Sequence, residues 1–381
     1  MENIIYEYNE VKNDKLTQHI INTSALHTFF KLEWKTLKAQ QYCGILNFDK
    51  QDYYILPKIA NHNDEQNLNI FIYMLMYAYD VKLSNEQIAC CKNQEKHTIL
   101  EVFVQMFASG LLNELKKGIH KQYLTQQDNL PVLKGKYLIN ENLKYNFTKN
   151  RIYCEYDELS PNNELNQFFL YAVKQLQKFV KDKKLLKQCE LIFDEVEDKQ
   201  ININKLNSIH FNRLNQRFKT SYEIAILLLK QSIPLFNQDK KSFAFLFDMN
   251  VLFEKFIARA IKELHSSVRI QNKDDFNDLI LKPDIILENQ IIDTKYKKIK
   301  ALKDIKQSDK LQAFAYGVNY KVNNVMLLYP KHLDDVNESL VLGCNETKVN
   351  LKIVCIDLNF SGEYEGFIKV IKSRIGDLLC V

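Results

Sequence analysis

LKPDIILENQIIDTKYK, residues 281–297, decides how this chain is read. Apolar residues Ile285, Ile286 and Leu287 precede a short polar turn, Glu288-Asn289-Gln290, and Ile291 and Ile292 follow it, so the stretch reads as a strand pair. Side chains alternate across a strand, which puts Asp293 and Lys295 on one face. Folding at Asn289 brings Asp284, from the only Pro-Asp dipeptide in the chain, beside that face. Two carboxylates and one ammonium then converge on a point.

Two hard oxygen ligands suit magnesium, with manganese as the alternative, and leave positions for water and a substrate phosphate. In phosphodiester hydrolysis such an ion polarises the phosphate and lowers the pKa of the attacking water, and Lys295 is the group to position that water or offset charge on phosphorus. The acidic-x-Lys spacing alone is not specific. It recurs at Asp182/Lys184, Asp239/Lys241, Asp304/Lys306 and Glu346/Lys348, and a surface ion pair on an edge strand would satisfy it. The setting separates Asp293 from these, because an apolar strand seldom carries Asp and Lys without a reason.

Further along the chain, Glu254 in DMNVLFEKFIARAIKE lies on a predicted helix before the strands, as an accessory metal ligand or a solvated partner of Lys255. Gln312 and Tyr316 in SDKLQAFAYG share one face of the helix that follows, for a role beside the centre or for packing. Lys295, Lys297, Lys298, Lys300, Lys303 and Lys306 form a basic run that fits DNA phosphates or a solvated loop equally well.

Helical spacing is read over Ser24–Lys38, Leu68–Tyr79, Leu100–Lys117, Leu165–Phe179, Leu185–Phe193, Ser221–Leu229, Phe245–Leu264 and Ile305–Tyr320. Strand patterns follow the first of these around Asp49-Lys50, and short ones lie at Tyr137–Ile139, Leu143–Phe147 and Arg151–Tyr156. The expected architecture is an α+β N-terminal domain of helices with small antiparallel ribbons, residues 1–158. An α/β domain with a central mixed sheet, residues 159–381, should follow. SPNNELNQ, with its turn and N-cap residues, sets the boundary near Tyr156–Pro161.

The 381 residues suffice for two domains, and 46% hydrophobic residues exclude a wholly disordered chain. A net charge of +5 permits nucleic-acid contact without requiring it. The start MENIIYEYNE has no basic-then-apolar signal, the longest apolar run is Phe71–Tyr79, and the eight cysteines contain no CxxC pair. A cytoplasmic protein with reduced thiols and no membrane span is expected. Adjacent Cys90 and Cys91, with His97, do not make a ligand set. Cys344, Cys355 and Cys380 fall short of the four thiolates an iron–sulfur cluster needs.

The ordered set Phe253-Glu254, Pro283-Asp284, Asp293-x-Lys295 and Gln312-x-x-x-Tyr316 resembles the PD-(D/E)xK nuclease superfamily, particularly its RecB-like branch. Collinear stretches narrow this to a resemblance to the McrC family, nuclease subunits of McrBC modification-dependent (5-methylcytosine) restriction systems. They are YCGI with ILPKI, MLMYAYD, LKGKYL, ELSPNNELNQ, HFNRLN, FLFDMNVLFEKF, the 281–297 stretch, SDKLQAFAYG and VMLLYP.

The resemblance implies a magnesium-dependent endonuclease of antiviral defence, with Asp284, Asp293 and Lys295 catalytic and Glu254, Gln312 and Tyr316 accessory. It also implies an N-terminal region docking on a McrB-like AAA+ GTPase hexamer and stimulating it, with double-stranded DNA as substrate. None of the nine glycines belongs to a GxxxxGK[ST] loop, so GTP would enter only through the partner. A stand-alone RecB-like repair nuclease and a non-catalytic regulator of the motor are the rival readings.

Overall fold

The computed structural model describes residues 3–34, 36–49, 51–59, 63–80, 99–148, 150–201, 209–237, 240–331, 336–344 and 347–379. Cys90, Cys91, His97 and Cys380 lie outside them.

The chain is mixed α/β and divides into two compact units. One combines residues 1–96 with 233–381, and the other is residues 97–232 between them. The expected boundary at Tyr156–Pro161 falls inside the second unit, at the end of the strand Ile152–Ser160. The reason lies in the first unit's five-stranded sheet. There Lys240–Asp248 pairs antiparallel with Tyr42–Phe48, joining segments some 200 residues apart in register from Phe243↔Asn47 to Asp248↔Tyr42.

The strand Ile4–Tyr6 runs parallel to Gln51–Leu56 at one edge of this sheet. Phe245, Leu246 and Phe247 are buried, as a strand covered on both faces requires. The helix expected over Phe245–Leu264 therefore begins only at Met249. Asp248 caps it by accepting the Asn250 N–H, and the helix runs to Leu264.

The helix expected over Ser24–Lys38 is instead a single 3₁₀ turn, Ser24–Leu26, and a hairpin, Phe30–Glu33 with Thr36–Ala39. Trp34, at φ 59°, makes the reversal and is fully exposed, while Phe30, Leu37 and Ala39 are buried. Two strands folded on a two-residue turn placed apolar residues three and four apart and imitated a helix. Likewise Ile139–Tyr145, expected to contribute strand pieces, is a short helix.

The first unit's second sheet has six strands in the order Arg269–Ile270, Ile285–Ile286, Gln290–Thr294, Asn324–Pro330, Thr347–Ile356, Asn337–Cys344. The three central strands are parallel, and the flanking pairings are antiparallel, a mixed sheet as expected. The helix Gln307–Tyr320 packs on it through Ala313 and Tyr316. The second unit packs Phe103, Phe107, Phe168, Phe169 and Phe218 in its core and carries a three-stranded sheet, Gln122–Leu130, Ile152–Ser160 and Lys136–Tyr137. Among the described residues no helix is long and apolar enough to cross a membrane.

Glu7, just past the first strand, is 1% exposed. Its Oε1 accepts the Lys58 N–H at 2.8 Å and the Tyr296 hydroxyl at 2.7 Å, while Oε2 has no hydrogen-bond partner. Burial pushes this carboxyl from 4.5 up to about 7, against the opposing pull of those two donors. The folded chain thus keeps a proton that the unfolded chain surrenders near pH 4.5. The associated stability is full below that pH and is lost as the pH climbs to about 7, amounting to some ~3 kcal/mol. Thermal melts of wild type and Glu7→Gln from pH 5 to 8 should show the wild type's advantage shrinking across that range. Parallel curves would contradict it.

Candidate active site

Each side chain singled out in the sequence is placed by a local feature. In the hairpin, Ile285 pairs with Ile292 and Ile286 with Ile291. One step further along that register Asp284 faces Asp293 across the strands. Asp284 Oδ2 accepts both the Thr294 N–H and the Thr294 hydroxyl at 2.7 Å, which locks its carboxylate in place. Thr294 was not singled out in the sequence. It is the middle residue of Asp-Thr-Lys, and only its pairing across the hairpin reveals its part.

Asp293 is 2% exposed, near the C-terminal end of a parallel strand, where sites in open α/β sheets collect. Burial, and next the neighbouring Asp284 charge, push its carboxyl up to about 6. Lys295 opposes that shift, with Nζ 2.6 Å from Asp293 Oδ2 in an ion pair. Burial acts to lower the Lys295 ammonium, but the charge and hydrogen bond of Asp293 together with the Asp309 and Asp284 charges outweigh it, and the pKa ends above its ordinary value.

Gln312 and Tyr316, four residues apart on Gln307–Tyr320, meet this pair as one chain of hydrogen bonds. Lys295 Nζ donates to Gln312 Oε1 at 3.1 Å, Gln312 Nε2 donates to the Tyr316 hydroxyl at 2.7 Å, and that hydroxyl donates to the Lys282 carbonyl at 3.0 Å. Tyr316 is fully buried, so the helix face acts as a rigid splint for the lysine. Glu254 comes from the Met249–Leu264 helix, half-buried, with Oε1 accepting from Gln271 Nε2 at 2.6 Å. Burial and then the Asp284 charge raise its carboxyl. Gln271 carries no sequence signal that would have marked it.

The structure thus brings the six side chains together: Asp284 with Glu254 and Asp293, each of which feels its charge, and Lys295, Gln312 and Tyr316 as the cation and its support. Among the described residues no three His, Cys, Asp or Glu side chains already stand as a metal cage. The donor set nevertheless fits a hard divalent ion. Magnesium needs only one or two carboxylates and completes its shell with water and phosphate. Asp293 Oδ2 is buried with the Lys295 ammonium 2.6 Å away and no hydrogen bond of good geometry, so an ion would share that oxygen with the lysine.

Cys344 and Cys355 do not share a centre. Cys344 pairs with Thr347 at one end of a hairpin whose other end holds Val354, so the two thiols stand roughly 25 Å apart at ~3.3 Å per residue.

The family model for the McrBC 5-methylcytosine restriction system component matches residues 37–330. The chain belongs to this family. As a McrBC restriction-system component it also shares its fold with a chain of the refined half-complex from the tetradecameric assembly of Thermococcus gammatolerans McrB AAA+ hexamers with bound McrC. That match has a TM-score of 0.62 at 21% identity and covers 98% of this chain and 99% of that one. A second match, in the cryo-EM structure of the Thermococcus gammatolerans McrBC complex, has a TM-score of 0.51 at 25% identity over 69% of this chain and 88% of that one. No curated protein matches.

If Glu254 reaches the ion only through water, Glu254→Gln should lower cleavage about tenfold, far less than loss of Asp293, since a neutral amide still accepts from Gln271. A loss equal to that of Asp293→Ala, in a plasmid cleavage assay, would place Glu254 directly on the metal.

Proposed function

We propose that this McrBC component is the DNA-cutting subunit of its system, a magnesium-dependent endonuclease of the PD-(D/E)xK type acting on double-stranded DNA in the cytoplasm. The observation that carries the reading is the meeting of Asp284 and Asp293 across one hairpin, with Lys295 held between Asp293 and Gln312.

Asp284 and Asp293 would hold magnesium or manganese, with Glu254 at the edge of the site. When bound, the ion supplies Lewis acidity toward a phosphate oxygen and lowers the pKa of the attacking water. The chain's own residues do the remainder. Thr294 fixes Asp284, so the carboxylate need not reorganise as charge builds. Lys295 keeps its proton, and its ammonium faces the position where negative charge develops on the phosphate. Gln312 and Tyr316 hold that ammonium on target.

Lys295→Ala should cut the cleavage rate by a hundred- to a thousandfold, roughly the worth of one preorganised charge donor. Magnesium affinity should persist, because the ammonium acts on substrate rather than on the ion. Calorimetry showing lost magnesium binding would contradict this division.

One of the two Thermococcus structures is of McrB AAA+ hexamers with bound McrC, and the other is of the McrBC complex. By that likeness the partner of this chain is a McrB-like GTPase hexamer. GTP acts only through it, and docking of this chain raises its turnover. The test is co-purification with such a GTPase, then cleavage of methylated and unmethylated plasmid with GTP and magnesium. Cutting only methylated plasmid, and only with GTP and the partner, is expected. Cutting without partner or GTP would indicate a stand-alone nuclease, and GTPase stimulation without cutting a regulator.

A further inference from the structure

Lys297 lies two residues beyond Lys295, past the end of the strand. Lys295 N–H still donates to the Leu328 carbonyl, continuing the parallel ladder, and Lys297 N–H turns back on the Lys295 carbonyl at 2.9 Å. Between them Tyr296 is fully buried and donates its hydroxyl to Glu7. The buried ring fixes the rotation of this segment, and both lysines reach the same helix, Gln307–Tyr320. Lys295 meets Gln312, and Lys297 meets Asp309.

Asp309 and Gln312 are one turn apart on that helix and so share a face. Asp309 lies within the first turn, its side chain 9% exposed, and both oxygens meet the Lys297 ammonium, at 2.9 and 3.3 Å. Lys297 is partly buried, whereas Lys298, Lys300, Lys303 and Lys306 are exposed. A carboxylate buried to this degree needs its counter-ion, so the ammonium stays at that spot even without substrate. An ammonium has three donors, and Asp309 leaves at least one of them toward solvent.

We propose that Lys297, anchored by Asp309, is a phosphate-binding residue that seats the DNA backbone beside the reacting phosphate. Asp309 is its positioning residue. This rests on the nuclease reading for the identity of the substrate. The chemistry recognised is the phosphodiester backbone, with no base read. Lys295 and Lys297 thereby divide the work: the first is committed to Asp293 and the reaction, the second to holding the strand.

The test is binding of a fluorescent DNA duplex to the full-length chain, without magnesium, across a salt series. Lys297→Ala should weaken binding about five- to tenfold at 0.1 M salt and reduce the salt slope by about one, the signature of one lost phosphate contact. Asp309→Asn should give a smaller loss in the same direction, and Lys297→Arg should restore both affinity and slope. Melting curves establish that each variant is folded, and should Lys297→Ala fail to fold, Lys297→Gln takes its place. Wild-type affinity and slope in the folded variants would overturn the proposal, as would a wild-type chain that does not bind duplex at low salt. If wild type binds and Lys297→Ala does not, but no cleavage occurs with partner, GTP and magnesium, it is the nuclease reading that fails.

Discussion

Replacing Asp293 with alanine should abolish DNA cleavage, lowering it by at least about a thousandfold, because on the function proposed above this carboxylate would hold the ion that activates water and polarises the phosphate. The chain should still fold. Asp293 is held ionised against burial and the adjacent Asp284 charge, both of which push its carboxyl up to about 6, so its removal relieves a repulsion. Against that, Lys295 loses an ion pair at 2.6 Å but keeps its bond to Gln312. These opposing terms leave the melting temperature within a few degrees of wild type by the usual scale of point changes. Asp293→Asn, which keeps the volume, should be as inactive, separating loss of charge from loss of packing. Plasmid cleavage beside thermal melts measures both, and a folded Asp293→Ala chain cutting at the wild-type rate would remove this residue from the chemistry.

The part of the site that could be read from sequence was the part set by local geometry. Strand alternation placed Asp293 and Lys295, a short turn placed Asp284, and helix spacing placed Gln312 with Tyr316. Thr294, Gln271, Asp309 and Glu7 went unread because each is defined by a partner distant in sequence, such as Tyr296 for Glu7.

The discontinuous first unit was hidden for the same reason. Nothing in YCGILNF announces that its neighbour is Lys240–Asp248. The hairpin at Trp34 misled more directly, since apolar residues spaced across a tight turn carry a helical period without a helix. For the discontinuous unit the deciding contact was long-range, where a single sequence has no period to show, whereas at Trp34 it was a local pairing with a misleading period.

That hidden discontinuity changes how partner docking should be tested. A cut near Tyr156 would sever Ile152–Ser160 from its full-length pairing with Gln122–Leu130 and leave Tyr42–Phe48 without Lys240–Asp248. Point changes in the whole chain avoid this. Within residues 1–158, the segment expected to dock, the second unit displays an unusual set of exposed apolar side chains: Tyr123, Val132, Ile139, Leu143, Tyr145 and Phe147. Leu143 is 72% exposed and Phe147 84%, so neither contributes much to this unit's own core. Apolar residues concentrated in this way on one small sheet and helix mark an interaction surface, and on the function proposed above its occupant would be the GTPase hexamer. Leu143→Ser combined with Phe147→Ser should therefore leave the melting temperature unchanged while reducing stimulation of GTP hydrolysis by tenfold or more, as loss of two apolar anchors at ~1–2 kcal/mol each requires. GTP-dependent cleavage should fall with it, although Asp284, Asp293 and Lys295 are untouched. GTPase rates measured against chain concentration distinguish weaker docking, which more protein overcomes, from lost activation. Full stimulation by the double variant would put the docking surface elsewhere on the chain.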